Sequence, residues 1–341
     1  MVARAVGVPT PQESDPVKEA AARILADTAS IDAVRASGGA YANSAWTVLA
    51  DNGLVTAAVD VGHGGSGGSI RDGAAVVRAC VAAARPVPIA EMALVAAPVL
   101  AAAGVVVGSQ PITVALDHDL ELAQGRLSGI AWRVPFASDS EQILAIVDER
   151  LVTFVGGGSS RGLSGEPRED VGCDGTVPVT IVTSDVTARD LVDRLAAARV
   201  VQIDGAVRAV LALTARHART REQFGGPLIK LQAVATRVAL LAECEARAGV
   251  GAELALRWLE GSADRADLAC AVVTARECAT AAAHLAHHVH GAIGLAAEGD
   301  LQLFTRRLWT WRDECGAERA WAAELGAYAR QAPDLWDWLS R

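Results

Sequence analysis

Residues 219–232, RTREQFGGPLIKLQ, combine side chains able to recognise an anionic ligand that carries a ring. Arg221 offers a planar fork of donors suited to phosphate, and Phe224 offers an aromatic face. Gly225, Gly226 and Pro227 suit a connector between helices, because Gly tolerates positive φ and Pro fits a helix's first turn. A connector does not require the arginine, the phenylalanine or Gln232. Two readings follow. One is a Gly-Pro turn flanked by a solvated Arg and a buried Phe. The other is an anion-and-ring clamp at a helix N-terminus, where backbone N–H groups favour negative charge.

Two other stretches suggest chemistry. Gly62, Gly64 and Gly67 in VDVGHGGSGGS satisfy G-x-G-x-x-G, with strand-like residues before and a helix after. A dinucleotide site of that type needs a βαβ unit, and the next expected strand lies some forty residues on, beyond two helices. A flexible loop between helices is the expectation here. In HLAHHVHG, His284 and His288 are four apart on one helical face, as metal ligands would be. No Glu lies between them and no third ligand is near, so imidazoles capping a helix end are expected and no metal.

The elements that must position these residues belong to a folded chain of 341 residues, long enough for two or three packed units. Hydrophobic residues make up 51% and charged residues 21%, and the net charge of −9 argues against a general nucleic-acid surface. Cys80, Cys173, Cys244, Cys270, Cys278 and Cys315 show no C-x-x-C pair. With no signal peptide pattern, reduced thiols in the cytoplasm are expected. The most apolar run, residues 93–108, is short for a membrane span and contains Pro98, so it reads as a buried helix.

The fold class expected is mainly α with an inserted β domain. Residues 1–108 read as an N-terminal helical domain that opens on an Asp15 cap with Pro16 behind it. Residues 109–185 read as a reduced β domain: PITVAL, SGIAWRVPFA, QILAIVD, RLVTFVG and VPVTIVTS are short and rich in β-branched residues. Residues 186–341 read as a helical bundle. A doubly wound sheet would need strands alternating with helices throughout.

RTREQFGGPLIKLQ and HHVHGAIGLAAEGDLQLFTRR together resemble the two C-terminal signatures of the acyl-CoA dehydrogenase family, R-x-x-F-G-x-x-(I/L)-x-x-x-Q and Q-x-x-G-G-x-G-x-x-x-E. VDVGHGGSGGS is similar to the family's N-terminal P-E-x-x-G-G-x-G loop, and SGIAWRVPFASDSEQILAIVD to its middle-domain hairpin. The resemblance implies an N-terminal helical domain, a middle β-barrel and a C-terminal bundle. It implies flavin adenine dinucleotide (FAD) at a dimer interface, with the turn and the Gly-rich loop reaching toward the ADP half in a neighbouring subunit. Arg221, Gln223, Phe224, Leu228, Gln232, His288, Gly291 and Ala292 are then the cofactor contacts. Arg221 would face the pyrophosphate, and Phe224 and Leu228 the ring system. His288 stands where the signature has Gln, and Ala292 where it has its second Gly.

The resemblance also breaks. The family oxidises the α,β-bond of an acyl-CoA thioester, with a glutamate taking the α-proton. In most members that Glu follows the signature's own by seventeen residues, in E-G-T; here the place holds Cys315, with Ala317 for the Thr. The other known place, on the helix before the turn, holds Leu195, with Asp193 two residues earlier. Glu314 beside Cys315 reads as a solvated helix carboxylate turned off the substrate face by one helical step. The family's T-E-P-x-x-G-S-D loop is absent from residues 111–129. No catalytic residue is therefore assigned. The implied protein is a short, base-less subunit of an α2β2 acyl-CoA dehydrogenase acting on CoA thioesters, steroid-derived ones among them. A full-length partner would hold most of the acyl-CoA site, and an electron-transfer flavoprotein would be the acceptor. Two alternatives stay open: a homomeric dehydrogenase using Glu314 or Asp193, and a non-flavin scaffold.

Overall fold

Six helices open the chain in the computed structural model, which describes residues 16–339. They are α1 (Pro16–Ala26), α2 (Ile31–Ala36), α3 (Asn43–Asp51), α4 (Ile70–Ala82), α5 (Ile89–Glu91) and α6 (Ala97–Ala102). The Asp15 cap expected for α1 lies outside the described residues. α4 starts on a reciprocal cap, in which Ser69 and Asp72 each bond the other's backbone N–H. A π-helical turn, Met92–Ala96, joins α5 to α6 just before Pro98. Proline cannot donate to the preceding turn and crowds its carbonyl, which the wider turn accommodates. Met92 to Ala97 are all buried, as the apolar run demands. No helix among the described residues is long and apolar enough to cross a membrane.

Eight strands follow: β1 (Ile112–Val114), β2 (Asp117–His118), β3 (Glu121–Ala123), β4 (Arg126–Pro135), β5 (Gln142–Val147), β6 (Arg150–Phe154), β7 (Arg168–Thr176) and β8 (Thr180–Thr183). One sheet runs β1-β5-β6-β8, with β1 parallel to β5 and the other pairs antiparallel. In the second, β4 pairs antiparallel with β2, β3 and β7. Leu127, Ala131, Ile143, Val152, Phe154 and Val171 fill the core the sheets share. The expected barrel is not closed by hydrogen bonds. β1, β2 and β3 have only two or three residues each, too few to carry a ladder around. β7 has no counterpart among the expected strands, because its Asp and Gly residues read as loop.

The bundle consists of α7 (Ala188–Thr220), α8 (Gln232–Leu259), α9 (Arg265–His290), α10 (Ala292–Leu295), α11 (Leu301–Arg312), α12 (Glu318–Gln331) and α13 (Leu335–Leu339). Between α7 and α8 lies a two-strand hairpin, β9 (Glu222–Gln223) and β10 (Gly226–Pro227). Thr187–Asp190 and Asp264–Asp267 capping boxes start α7 and α9. Alanines on facing sides of the long helices, including Ala197, Ala252, Ala275 and Ala279, permit close packing. One apolar core joins them to the N-terminal helices, with Leu49, Val77, Leu94, Val207, Leu241 and Leu268 among its members.

The glycine stretch corrects the expectation of a flexible loop. It is a tight sequence of turns in which backbone passes close to backbone. A Cβ on Gly65 would lie 2.0 Å from the Val59 carbonyl oxygen, and one on Gly64 would lie 2.3 Å from that of Val107. The glycines are required by packing, and no strand precedes them. Gly65→Ala should therefore destabilise the chain by about 1–3 kcal/mol or more, as overpacking does. Gly108→Ala, where a Cβ meets nothing within 4 Å, should stay within about 0.5 kcal/mol. Urea midpoints of both variants check this; equal, small shifts would restore a loose loop.

Candidate functional site

The hairpin at the end of α7 turns through Phe224 and Gly225, whose φ angles are +53° and +87°. Two positive φ values are what the tight two-residue hairpin turn requires, and it usually takes Asn-Gly or Gly-Gly. A phenylalanine there is strained by on the order of 1–3 kcal/mol. It is not buried in compensation: Phe224 is 85% exposed. That excludes the reading of a buried Phe in an ordinary connector.

Arg221, Gln223 and Gln232 are exposed around it. Arg221 has no ion pair among the described residues, and its carbonyl accepts from the Leu228 N–H at 2.9 Å, closing the base of the turn. Leu228 is itself buried, so it braces the turn from below. The second segment lies at the same end of the bundle, since the rings of His217 in α7 and His290 in α9 stack 4.2 Å apart. His288, Gly291 and Ala292 are exposed there. Gly291 carries the unusual backbone, φ +60° and ψ −143°, with open space where a Cβ would be. Ala292 begins the short α10 in ordinary helical geometry, so its methyl group costs the backbone nothing. Exposed guanidinium, ring, amides and an open backbone suit a phosphate-and-ring group approaching from outside the chain. Among the described residues no three His, Cys, Asp or Glu side chains converge as a metal site.

The carboxylates considered as bases are placed quite differently. α11 ends at Arg312, so Glu314 is not on a helix and is not solvated, which corrects the expectation above. Its side chain is 21% exposed and accepts from Arg168 Nε at 2.7 Å and Arg199 Nε at 2.6 Å. Burial alone would raise its pKa, but the two guanidinium groups hold the carboxyl at about 2. Cys315 moves the other way, to about 12, chiefly through burial. Neither group can take a proton near neutral pH. Asp193 is 1% exposed and paired with Arg189 and Arg265. Leu195 is buried and apolar.

Glu314 is one member of a larger network. Arg199 also donates to Glu91 and to Gln202, each at 2.6 Å, and Arg307 donates to Glu166 at 2.7 Å. Glu166 lies 3.8 Å from Arg168. None of Arg199, Glu91, Glu166, Arg168 or Arg307 was singled out from the sequence. A signal existed: Glu91 and Arg199 are lone charges in otherwise apolar runs, and such charges are buried only when paired. The network borders a cleft of about 740 Å³ between the sheets and the bundle, walled by Trp132, Arg161, Arg168, Leu195, Trp309 and Glu314.

This architecture and these signatures define an acyl-CoA dehydrogenase fold. Residues 190–312 match the model of the acyl-CoA dehydrogenase C-terminal domain, and the chain carries that domain. It is 29% identical over 307 residues to the acyl-CoA dehydrogenase IpdE2 of Mycobacterium tuberculosis, covering 87% of this chain and 91% of that protein. A chain of the ChsE4–ChsE5 complex from M. tuberculosis superposes with a TM-score of 0.81 at 22% identity, over 96% of this chain and 99% of that one. A chain of the Tcur3481–Tcur3483 steroid ACAD gives 0.78 at 21% identity, over 93% and 97%. The two structural likenesses show the fold.

The Glu314 pairing makes a pH-dependent prediction. Its folded value of about 2 lies below the ordinary 4.5, so the pairing stabilises the fold above the ordinary value. That contribution is lost as pH falls from about 4.5 through 2. Glu314→Gln should cost on the order of 3 kcal/mol at pH 7. The gap from the parent chain should narrow below pH 4.5 in urea titrations. A gap that is constant down to pH 3 would remove the electrostatic account.

Proposed function

We propose that this chain is the non-catalytic subunit of a heteromeric, FAD-dependent acyl-CoA dehydrogenase. It contributes Arg221, Gln223, Phe224, Gln232, His288, Gly291 and Ala292 to the ADP half of a flavin seated in a full-length partner, with Leu228 as the brace. One observation carries the reading: a strained, 85% exposed Phe224 beside an exposed Arg221 with no ion pair among the described residues. Strain in an exposed turn is retained where something outside the chain uses it. The partner supplies the glutamate that removes the α-proton and most of the acyl-CoA site. The bound flavin supplies hydride acceptance, with an electron-transfer flavoprotein as the onward acceptor. The paired states of Glu314 and Asp193 weigh against a self-sufficient homomer, and the exposed clamp weighs against a bare scaffold. Two of the structural relatives, a two-protein complex and a steroid ACAD, support a heteromeric assembly and steroid-derived CoA thioesters.

Purified alone, the chain should carry almost no flavin and no dehydrogenase activity, and co-expression with the full-length partner should restore both. Stoichiometric flavin in a homomer would sink the proposal.

Within the complex, Arg221→Ala removes a charge-assisted contact worth on the order of 1.5–3 kcal/mol. Flavin retention should weaken roughly ten- to a hundred-fold while the subunits still assemble. Arg221→Lys should recover only part, since an ammonium lacks the planar fork. Phe224→Gly should relieve backbone strain without destabilising the chain, yet lower flavin per complex. Full occupancy in all three variants would reduce the hairpin to a connector.

A further inference from the structure

At the end of the bundle that bears both exposed segments, two imidazoles stack almost face to face. The planes of His217 and His290 are 15° from parallel with centroids 4.2 Å apart. His217 lies one turn before Arg221 and accepts that residue's backbone N–H at 2.9 Å. His290 is the last residue of α9 and directly precedes Gly291. Gly294 closes over it, since a Cβ there would lie 2.7 Å from that of His290. His287, one residue before His288, contacts the Thr305 hydroxyl of α11 through Nε2 at 3.1 Å, and its carbonyl accepts the Gly291 N–H at 2.8 Å. The stack is therefore the side-chain link between the backbone that sets Arg221 and the backbone that sets Gly291.

We infer that His217 and His290 are positioning residues: a neutral imidazole pair that holds residues 221–232 and 288–292 in register for one anionic, ring-bearing ligand. This rests on the proposed role of those segments toward FAD. Neutrality is what makes a face-to-face pair attractive, because two imidazolium rings at this distance would repel. The charged and titratable groups around the pair are Arg216 on α7, Arg221 just after it, and His284, His287 and His288 on α9, while α10 and α11 contribute Gly294 and Thr305. No carboxylate is among the charges that shift either ring. His290 Nε2 and His287 Nδ1 are buried without a protein partner, a state an imidazolium tolerates poorly. Burial and then Arg221 lower His217; burial, then His217, His287 and Arg216, bring His290 to about 4.

The test uses two readouts. On the full chain without flavin, His290→Ala should shift the backbone amide resonances of residues 221–226, which lie across the bundle end from the substitution. His290→Phe, which keeps a ring but cannot ionise, should leave them near their parent positions. In the parent chain both rings should titrate below the ordinary 6.5. In the co-expressed complex, His290→Ala should weaken flavin retention roughly three- to ten-fold, the worth of a stacked pair, with His290→Phe close to the parent. Unmoved amides in His290→Ala, or rings that titrate at 6.5 or above, would overturn the positioning role. Shifted amides with unchanged flavin would instead keep the coupling and overturn the assignment of these segments to FAD.

Discussion

The buried guanidinium of Arg199 is the constraint on which the arrangement of this molecule depends. It is 2% exposed in the middle of an apolar helix face. A charge there without partners would cost several kcal/mol, so each of its nitrogens must be met. Nε finds Glu314 from the loop after α11, Nη1 finds Gln202 one turn on, and Nη2 finds Glu91 from α5. Arg168 of β7 then shares Glu314, which ties the β sheets to the same point. N-terminal helices, sheets and bundle are thereby fixed against one another by alternating charges as well as by a shared apolar core. Satisfying this network uses up Glu314, the carboxylate nearest the family's usual base position, and a carboxyl held at about 2 is no proton acceptor.

Similar bracing recurs elsewhere. Asp204 is fully buried in α7 and accepts from Arg78 of α4 and Arg208, each at 2.8 Å. Asp193 is gripped by Arg189 and Arg265, which both also pair with Glu324 of α12 and flank Trp321. Arg208, Arg189 and Arg265 each stand where the flat fork reaches two carboxylates, something lysine does less well. Only Lys18 and Lys230 are lysines in the whole chain. That preference for arginine is compatible, in the fold, with a structural use.

What could be read in advance follows the range of the interactions. The helical–β–helical order was legible because periodicity and β-branched runs are local. β7 was not, since REDVGCDGT mixes Asp and Gly and becomes a strand only by pairing with β4, where its Val171 and Cys173 turn inward. The hairpin motif was legible in residue types and spacing, but whether Phe224 is core or contact depends on its exposure, which no spacing reveals. The arginine network was illegible for a plain reason. Arg199 lies 108 residues from Glu91 and 115 from Glu314, and Arg168 lies 146 from Glu314.

A contrast between the two ends of the chemistry gives the structure its meaning. In the interior, where a dehydrogenase needs a free carboxylate, each candidate acid is neutralised by arginine and the one thiol is kept protonated. At the bundle end an arginine has no ion pair among the described residues, and a phenylalanine is held exposed at positive φ. Selection for stability alone would do the reverse: it would leave few buried charges and replace Phe224 with Asn or Gly. The two departures together are what the proposed division of labour, with proton abstraction passed to a partner and an exposed clamp kept for its cofactor, would require.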